Sequence, residues 1–170
     1  MVKNLKVISS ISILLLSLAG CTVKYSLSGA SIPAEVKTVS ILYLQNNAQL
    51  VQPSLSQLLT EALKDRFLSE TNLTLVDQNG DFNFEGAITN YVVTPVAIQG
   101  NETAALNRLT VTVKINFTNT VDEKQSYQTQ FSRYEDYLST EDLSAVENKL
   151  INSINDQLVV DIFNKAVINW

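Results

Sequence analysis

Cys21 is the only cysteine of the sequence, and Leu18, Ala19 and Gly20 directly precede it. This order matches the bacterial lipobox, in which a diacylglycerol is attached to the thiol and the chain is then cut before the cysteine. The residue types suit this chemistry, because a small pair lets a peptidase approach the backbone and the thiolate is a strong nucleophile. The motif therefore predicts Cys21 as a site of lipid attachment.

The segment before this motif has the pattern of a secretory leader. Lys3 and Lys6 give it a basic start, and an apolar run extends from Val7 to Leu18. The run is shorter than the roughly 20 residues that a membrane-spanning helix needs. A basic start, a short apolar core and small residues at the cut site are typical of a signal peptide. We expect residues 1–20 to be removed.

The rest of the chain is long enough for one domain with a substantial core. Residues 21–34 are polar and rich in turn-forming residues, and we expect them to form a lipidated tether. Residues 35–170 show no internal repeat or low-complexity tract, and we expect a single domain. Thr22 stands where an aspartate retains some lipoproteins in the inner membrane. We therefore expect a lipid-anchored protein on the periplasmic side of the outer membrane.

The sequence contains no histidine. This excludes histidine-based acid–base catalysis, Ser-His-Asp and Cys-His arrangements, and nearly every zinc site. Calcium-loop, phosphate-binding and G-x-S-x-G motifs do not occur in it either. The adjacent pair Glu135-Asp136 is the nearest approach to a carboxylate-only hydrolase, but neighbours on a strand point to opposite faces. We expect no catalytic residues, no metal site and no cofactor.

The charge balance is acidic, with 12 Lys and Arg residues against 17 Asp and Glu residues. Because Lys3 and Lys6 leave with the predicted leader, the mature chain would carry 10 basic residues and a net charge of −7. An acidic chain without a basic block argues against nucleic acid as a partner. It also argues against electrostatic binding of a basic segment to anionic lipid. Membrane attachment would then depend on the acyl chains at Cys21.

Hydrophobic periodicity predicts five strands and two helices. The strands are expected at residues 36–44, 73–77, 82–93, 109–118 and 125–137, and the helices at 55–67 and 140–167. The initial order of strand, helix and strand favours a right-handed crossover with parallel strands. Each element has one apolar side that must be buried against another layer. The expected fold is an α+β two-layer sandwich, with a mixed, mostly antiparallel sheet and two helices packed on one face.

Local signals predict how these elements begin and connect. Asn79-Gly80 is typical of a β-hairpin. Ser54 is expected to start a capping box at the first helix, and Thr140 is expected to cap the second. Thr94-Pro95 is expected to end or kink the third strand, because proline cannot donate a hydrogen bond to the sheet.

If both helices cover one face of the sheet, the other face is polar and almost uncharged. Its expected members are Asn83, Thr89, Thr110, Thr112, Asn116, Thr118, Gln128, Gln130 and Ser132. Such a face is either solvated, as is common in antiparallel sheets, or packed against a polar enclosed surface such as the lumen wall of an outer-membrane barrel. The low number of charges on this face favours the second interpretation, because burying an unpaired charge is costly. Thr110, Thr112 and Thr118 are the candidate barrel-facing residues.

The chain after the lipobox resembles the lipopolysaccharide-assembly lipoproteins, the LptE family, in the form found in the Bacteroidetes. The resemblance rests on Cys21, Tyr25 to Ala30, Ile32-Pro33, Val36 to Ile41, Leu55 to Phe67, Asn101 to Leu109 and Phe131 to Tyr134. It covers the whole mature chain. It implies a domain that plugs a large outer-membrane barrel, the lipopolysaccharide translocon, helps the barrel to assemble, and passes lipopolysaccharide to the outer leaflet.

The resemblance also implies that basic residues near a loop contact lipopolysaccharide. Arg108 and Lys114 lie on the polar side of the most regular predicted strand, and Arg133 lies on the neighbouring strand. An arginine matches phosphate geometry well. Two alternatives stay open: these residues are ordinary surface charges, or the protein is a carrier lipoprotein that binds a small apolar ligand between sheet and helices. A large internal pocket would favour the carrier.

Overall fold

The computed structural model describes residues 32–50, 52–96 and 105–168. In chain order, the elements are β1 Thr38–Ile41, β2 Gln45–Asn46, α1 Leu55–Glu70, β3 Thr74–Val76, β4 Phe82–Val96, β5 Leu106–Asn119, a short 3-10 helix Glu123–Gln125, β6 Tyr127–Leu138 and α2 Leu143–Val167. The predicted leader, Cys21 and most of the predicted tether lie outside the described residues. None of the helices within these ranges has the length and apolar character needed to cross a membrane.

The strands form one mixed sheet in the order β3-β1-β4-β5-β6, with β2 beside β4. β1 pairs in parallel with β3 and β4, and β2 pairs in parallel with β4. The long β4–β5 and β5–β6 pairs are antiparallel. Both helices pack on the same face, where α1 contacts β1 and α2 contacts β5 and β6. The predicted two-layer α+β sandwich is confirmed.

A row of aromatic rings joins the two layers through the core. Phe163 of α2 lies 5.0 Å from Phe67 of α1, and Phe67 lies 5.0 Å from Phe84 of β4, between ring centres. Phe84 in turn lies 4.8 Å from Phe117 of β5. The apolar stripes of the helices are buried around these rings, through Leu55, Leu59, Leu63, Leu150, Ile154, Leu158 and Ile162. Burial of each such side chain contributes about 1.5–3 kcal/mol.

The hairpin predicted at Asn79-Gly80 is wrong. β3 and β4 both run parallel to β1, which lies between them, so residues 77–81 cross over β1 instead of reversing the chain. At Gly80, a Cβ atom would lie 2.7 Å from the backbone nitrogen of Ser40. The glycine is therefore required by the close approach of two backbones, which is a second common use of this residue.

Asp81 holds the crossing segment against the sheet. Its Oδ2 accepts hydrogen bonds from the backbone N–H of Lys37 at 2.8 Å, and from the N–H and hydroxyl of Thr38 at 2.9 Å each. Its carbonyl accepts from the N–H of Thr120 at 2.9 Å. The hydrogen bond from Lys37, followed by those from Thr38, holds the pKa of Asp81 below its ordinary value of 3.8. One residue thus joins β1, β4 and the end of β5.

A β-bulge divides β4 into two halves. Its register with β5 shifts between Ile88 and Asn90, so that Tyr91 takes the buried position. The Tyr91 hydroxyl donates to Glu147 of α2 at 2.5 Å. Burial, together with this hydrogen bond, raises the pKa of Tyr91. The bulge therefore carries an aromatic side chain to the start of α2.

Pro95 does not end β4, so the first of the two predicted effects of this proline is wrong. Hydrogen-bonded and non-hydrogen-bonded pairs alternate along an antiparallel ladder. Thr120 donates to the carbonyl of Asp81, so odd-numbered residues of β4 make the hydrogen bonds to β5 before the bulge. After the bulge the even-numbered residues do so. Pro95 therefore lacks only an N–H that would point away from β5, and the strand continues to Val96.

The predicted caps of both helices are wrong. Ser54 has helical backbone angles, and its side chain makes no capping hydrogen bond. α2 begins after Asp142 instead of Thr140. The chain needs the intervening residues to finish β6, because Glu141 donates its N–H to the carbonyl of Leu138 at 3.0 Å and accepts the N–H of Leu138 with its carboxylate at 3.3 Å.

The hydrogen bonds of Asp81 predict a pH-dependent contribution to stability. Because its pKa is lowered in the folded state, the contribution is present above the ordinary value of 3.8 and is lost as the pH falls through the lowered pKa. Asp81→Asn should therefore lower the melting temperature at neutral pH and should approach wild type in acid. Asp77→Asn, a matched change at an exposed position, is the control. Parallel pH profiles for the two variants would contradict this role.

Candidate functional site

The face of the sheet opposite the helices is polar, and we call it the open face. Leu109, Val111, Val113, Ile115 and Phe117 of β5 are buried on the helix side, so the residues between them point the other way. The central members of the open face are Asn83, Glu85, Thr89, Thr110, Thr112, Lys114, Asn116, Thr118, Gln128, Gln130 and Ser132. The structure places Thr110, Thr112 and Thr118 on this face, as the alternation predicted.

Hydroxyl groups are hydrogen-bonded to their neighbours at the centre of the open face. Thr112 lies between Asn90 of β4 and Ser132 of β6. The hydroxyls of Thr112 and Ser132 are 3.0 Å apart. Thr89, in the bulge, donates its hydroxyl to the carbonyl of Thr112 at 3.3 Å. The surface around Thr112 is therefore rich in hydroxyl groups, and Lys114 is the next residue of β5 on this face.

Arg108 and Asp136 form an ion pair near one end of the open face. Arg108 donates from Nε and Nη2 to the two carboxylate oxygens of Asp136, at 2.7 and 2.8 Å. Its guanidinium lies 3.6 Å from the centre of the Tyr134 ring. The hydrogen bonds raise the pKa of Arg108 and lower the pKa of Asp136. The charge of Arg108 is thus balanced by a partner in the free protein.

Lys114 is an exposed cation on the same face. Its neighbours across the sheet, Ala87 on β4 and Gln130 on β6, are uncharged. It forms no ion pair with the described residues. Lys114 can therefore bind an anionic group without first giving up a carboxylate partner, in contrast to Arg108.

Arg133 lies on the opposite face from these two cations. It pairs with Val111, a core residue of β5, and so points toward the helices. It donates to both carboxylate oxygens of Asp161 on α2, at 2.5 and 2.6 Å, and this contact raises the pKa of Arg133. The structure therefore does not bring Arg133 together with Arg108 and Lys114.

The adjacent carboxylates Glu135 and Asp136 also point to opposite faces. Glu135 accepts hydrogen bonds from Ser153 and Gln157 of α2, at 2.6 and 2.7 Å. Asp136 faces Arg108 across the open face. The two carboxylates cannot act on one substrate, as the strand geometry predicted. No group of three or more potential metal-ligating side chains occurs in the described part of the chain.

An apolar row at the end of the open face was not predicted from the sequence. Val96, Leu106 and Leu138 are neighbours across β4, β5 and β6, where the sheet leads into residues 97–104 outside the described ranges. Leu138 is 43% exposed. The sequence signal for this row was Leu106, because it is apolar although its even position places it on the polar side of β5. Beside this row lies Arg108, so an apolar edge adjoins a cation.

The interior between sheet and helices is filled by side chains in the part of the chain that the structure describes. The largest fully buried side chains include Phe67, Phe82, Phe84, Phe117 and Phe163. A concavity of about 470 Å³ lies on the open face. It is bounded by the crossing segment 77–81, the start of β4 and the end of β5. A carrier of apolar ligands between sheet and helices finds no support in this packing.

Two solved structures show the same fold. A minor lipoprotein from Acinetobacter baumannii is 16% identical, with a TM-score of 0.50 over 75% of this chain and 89% of that one. A hypothetical protein from Chlamydia trachomatis is 11% identical, with a TM-score of 0.50 over 78% of this chain and 99% of that one. At these identities the similarity supports the fold alone. The search of curated proteins found no match.

The family comparison covers nearly all of the described fold. Residues 36–166 match the family model described as LptE, lipopolysaccharide-assembly. The match begins before β1 and ends within the last turn of α2, so it includes both layers and the open face. The chain therefore belongs to the LptE family of lipopolysaccharide-assembly proteins.

Proposed function

We propose that this protein is an outer-membrane lipoprotein, anchored at Cys21, that plugs the lipopolysaccharide-translocating barrel and helps the barrel to assemble. In this role it supports the insertion of lipopolysaccharide into the outer leaflet. Family membership supports the pathway. The observation that supports the plug is the open face, a long polar sheet surface with very few charges.

The shortage of charge is local to the open face. The outer surfaces of the helices carry exposed charges, including Glu61, Asp65, Lys149, Asp156 and Lys165. The open face carries mostly threonine, asparagine, glutamine and serine, and Glu85 and Lys114 are the charged residues of its central part. A solvated surface has no need to exclude charge, whereas a surface enclosed in a barrel lumen would bury each unpaired charge at a cost of several kcal/mol. Hydroxyls and amides can exchange water for hydrogen bonds with the wall.

The length of the sheet suits a plug. Ile32 lies beside Lys37, Glu70 and Leu73, at the start of β1 and the end of α1. Val96 lies at the other end of the sheet, where β4 ends. β4 has 15 residues and spans about 50 Å at roughly 3.3 Å per residue. The hydrocarbon core of a bilayer is about 30 Å thick. A domain tethered at its base on the periplasmic side could thus extend through the barrel, with the apolar row and Arg108 at its far end.

Lys114 and Arg108 are the proposed contacts to lipopolysaccharide phosphates. They lie six residues apart on β5, about 20 Å, so they cannot bind one phosphate together. Lys114 can bind directly, whereas Arg108 must exchange Asp136 for a phosphate. Arg133 is on the other face and paired with Asp161, and it is not part of this contact.

Two glutamates on the open face should separate folding from barrel binding. Thr110→Glu with Thr112→Glu should change the stability of the isolated chain by no more than about 0.5 kcal/mol per site, because both side chains point away from the core. In cells, the double variant should fail to co-purify with the barrel, since the added carboxylates would be enclosed without partners. Two substitutions are needed because Lys114 lies close enough to offset one charge.

The matched control places the same two charges on the outer surface of α1. Gln57→Glu with Ser69→Glu changes two exposed residues of that helix. This variant should fold and co-purify with the barrel at the wild-type level. If the open-face variant folds and also binds at the wild-type level, the open face is solvated and the plug hypothesis fails.

Lipopolysaccharide binding by the purified chain should depend on Lys114 and should be limited by Asp136. Lys114→Gln should weaken binding about tenfold, as expected for the loss of one charge-assisted hydrogen bond of roughly 1.5 kcal/mol. Asp136→Asn should strengthen binding, because it releases Arg108 from its ion pair. Lys124→Gln, at an exposed lysine away from the face, should leave binding unchanged. Equal effects at Lys114 and Lys124, measured by titration at fixed salt, would contradict the assignment.

A further inference from the structure

The concavity on the open face contains one charged group. It lies where the crossing segment 77–81 meets the start of β4 and the end of β5, and Glu85 is the only charged residue that lines it. The Glu85 side chain is exposed. It forms no ion pair and no side-chain hydrogen bond with the part of the chain that the structure describes. The concavity therefore presents a carboxylate that is available to a partner.

Other polar groups of the lining already have partners within the chain. Ser40 donates its hydroxyl to Oδ1 of Asn83 at 2.6 Å. Asn83 in turn donates from Nδ2 to the carbonyl of Gly80, also at 2.6 Å. These bonds hold the lining in place before anything binds. The strongest contact with a bound group would thus come from Glu85.

An apolar side chain lies next to this carboxylate. Ile41 pairs with Phe84 in parallel register, so the following residue, Leu42, lies beside Glu85. Leu42 is 36% exposed and lines the same concavity. Lysine and arginine lay their aliphatic stems along apolar surface while the charged head reaches a polar partner. Leu42 and Glu85 together match the two parts of such a side chain.

We propose that the concavity receives a lysine or arginine side chain from the periplasmic end of the barrel, with its charged head paired to Glu85. This inference rests on the proposed plug, in which the base of the sheet lies on the periplasmic side. Inside the lumen, Glu85 without a partner would be an uncompensated enclosed charge, which is strongly unfavourable. A basic side chain removes that penalty, whereas a phosphate or a carboxylate would be repelled. The barrel wall thus complements the charge of the plug at this point.

Lys114 is the alternative partner for Glu85, because it is the other charged residue of the central open face. It lies opposite Ala87, two residues beyond Glu85 on β4, and the two side chains form no ion pair in the structure. Such diagonal neighbours are about 7–8 Å apart, within reach of long side chains. Two residues that pair with each other show coupled effects when both are changed, and independent residues do not. Changing both therefore distinguishes a partner within the chain from one in the barrel.

Competition for the barrel in cells measures the contribution of Glu85. Cells would express the wild-type chain together with one variant, and mass spectrometry would give the ratio of the two in the purified barrel complex, relative to the whole membrane fraction. Glu85→Gln should lower this ratio about tenfold, because the basic side chain of the barrel would lose its counter-charge. Asp65→Asn, which removes a carboxylate from an exposed position on α1, should leave the ratio unchanged.

The same competition in a Lys114→Gln background tests the alternative partner. Glu85→Gln should again lower the ratio about tenfold, since the proposed partner belongs to the barrel. If the effect of Glu85→Gln disappears in this background, Lys114 is the partner and the proposal fails. A ratio that Glu85→Gln leaves unchanged in the wild-type background would also overturn it.

Photo-cross-linking from the apolar wall identifies the group that enters the concavity. A photoreactive amino acid in place of Leu42 leaves Glu85 intact and should form an adduct with the barrel. When the adduct is cut with a protease specific for aromatic residues, the cross-linked barrel segment should contain a lysine or arginine. Changing that residue to glutamate should restore barrel binding by Glu85→Lys, which by itself should bind at least about tenfold less than wild type.

The outcomes separate this inference from the plug itself. A barrel adduct from Thr112 but none from Leu42, a cross-linked segment without a basic residue, or no restoration by the exchanged charges would overturn the inference and leave the plug standing. Absence of barrel adducts from both Leu42 and Thr112 would reject the plug and the inference together.

Discussion

The two-residue period of β5 is the constraint on which the other features of this fold depend. Alternate residues from Leu109 to Phe117 are buried against the helices. The threonines, asparagine and lysine between them are committed to the other side by the same backbone. Because β4 and β6 are both paired to β5, their faces follow its alternation. The burial that stabilises the domain thus also creates the open face, and a change of register in β5 would destroy both.

The short parallel strands are joined to this antiparallel unit by a few specific contacts. β1 has only four residues, yet it separates β3 from β4, and residues 77–81 must cross it. Gly80 permits the close approach, and Asp81 bonds to Lys37 and Thr38 at the start of β1. In the second half of the sheet, the bulge in β4 turns Tyr91 into the core and places the nitrogen of Pro95 on the side of the strand away from β5. Local backbone geometry therefore allows one regular surface to continue across strands of different direction.

Long periodic patterns predicted the layers well, because burial of one face acts on many residues at once. β5 and the positions of Thr110, Thr112 and Thr118 follow from alternation alone, and both helices follow from the 3.6-residue period of their apolar residues. The connections were not predictable in this way, since a glycine required for backbone contact at Gly80 has the same local sequence as one required for a hairpin. Arg133 was grouped with Arg108 although its odd position places it on the helix side. The position of a residue in the alternation of its strand indicates which face of the sheet it lies on, whereas its distance from a loop does not.

Contact between the open face and a barrel wall is tested most directly by photo-cross-linking in living cells. A photoreactive amino acid in place of Thr112 should yield an adduct with a large outer-membrane barrel protein, identified by mass spectrometry. The same amino acid in place of Leu58, which is 40% exposed on α1, reports on the helical side of the domain. A barrel adduct from Thr112 is the result expected if the open face is enclosed. Adducts from Leu58 without any from Thr112 would contradict it, because the domain would then meet the barrel through its helices.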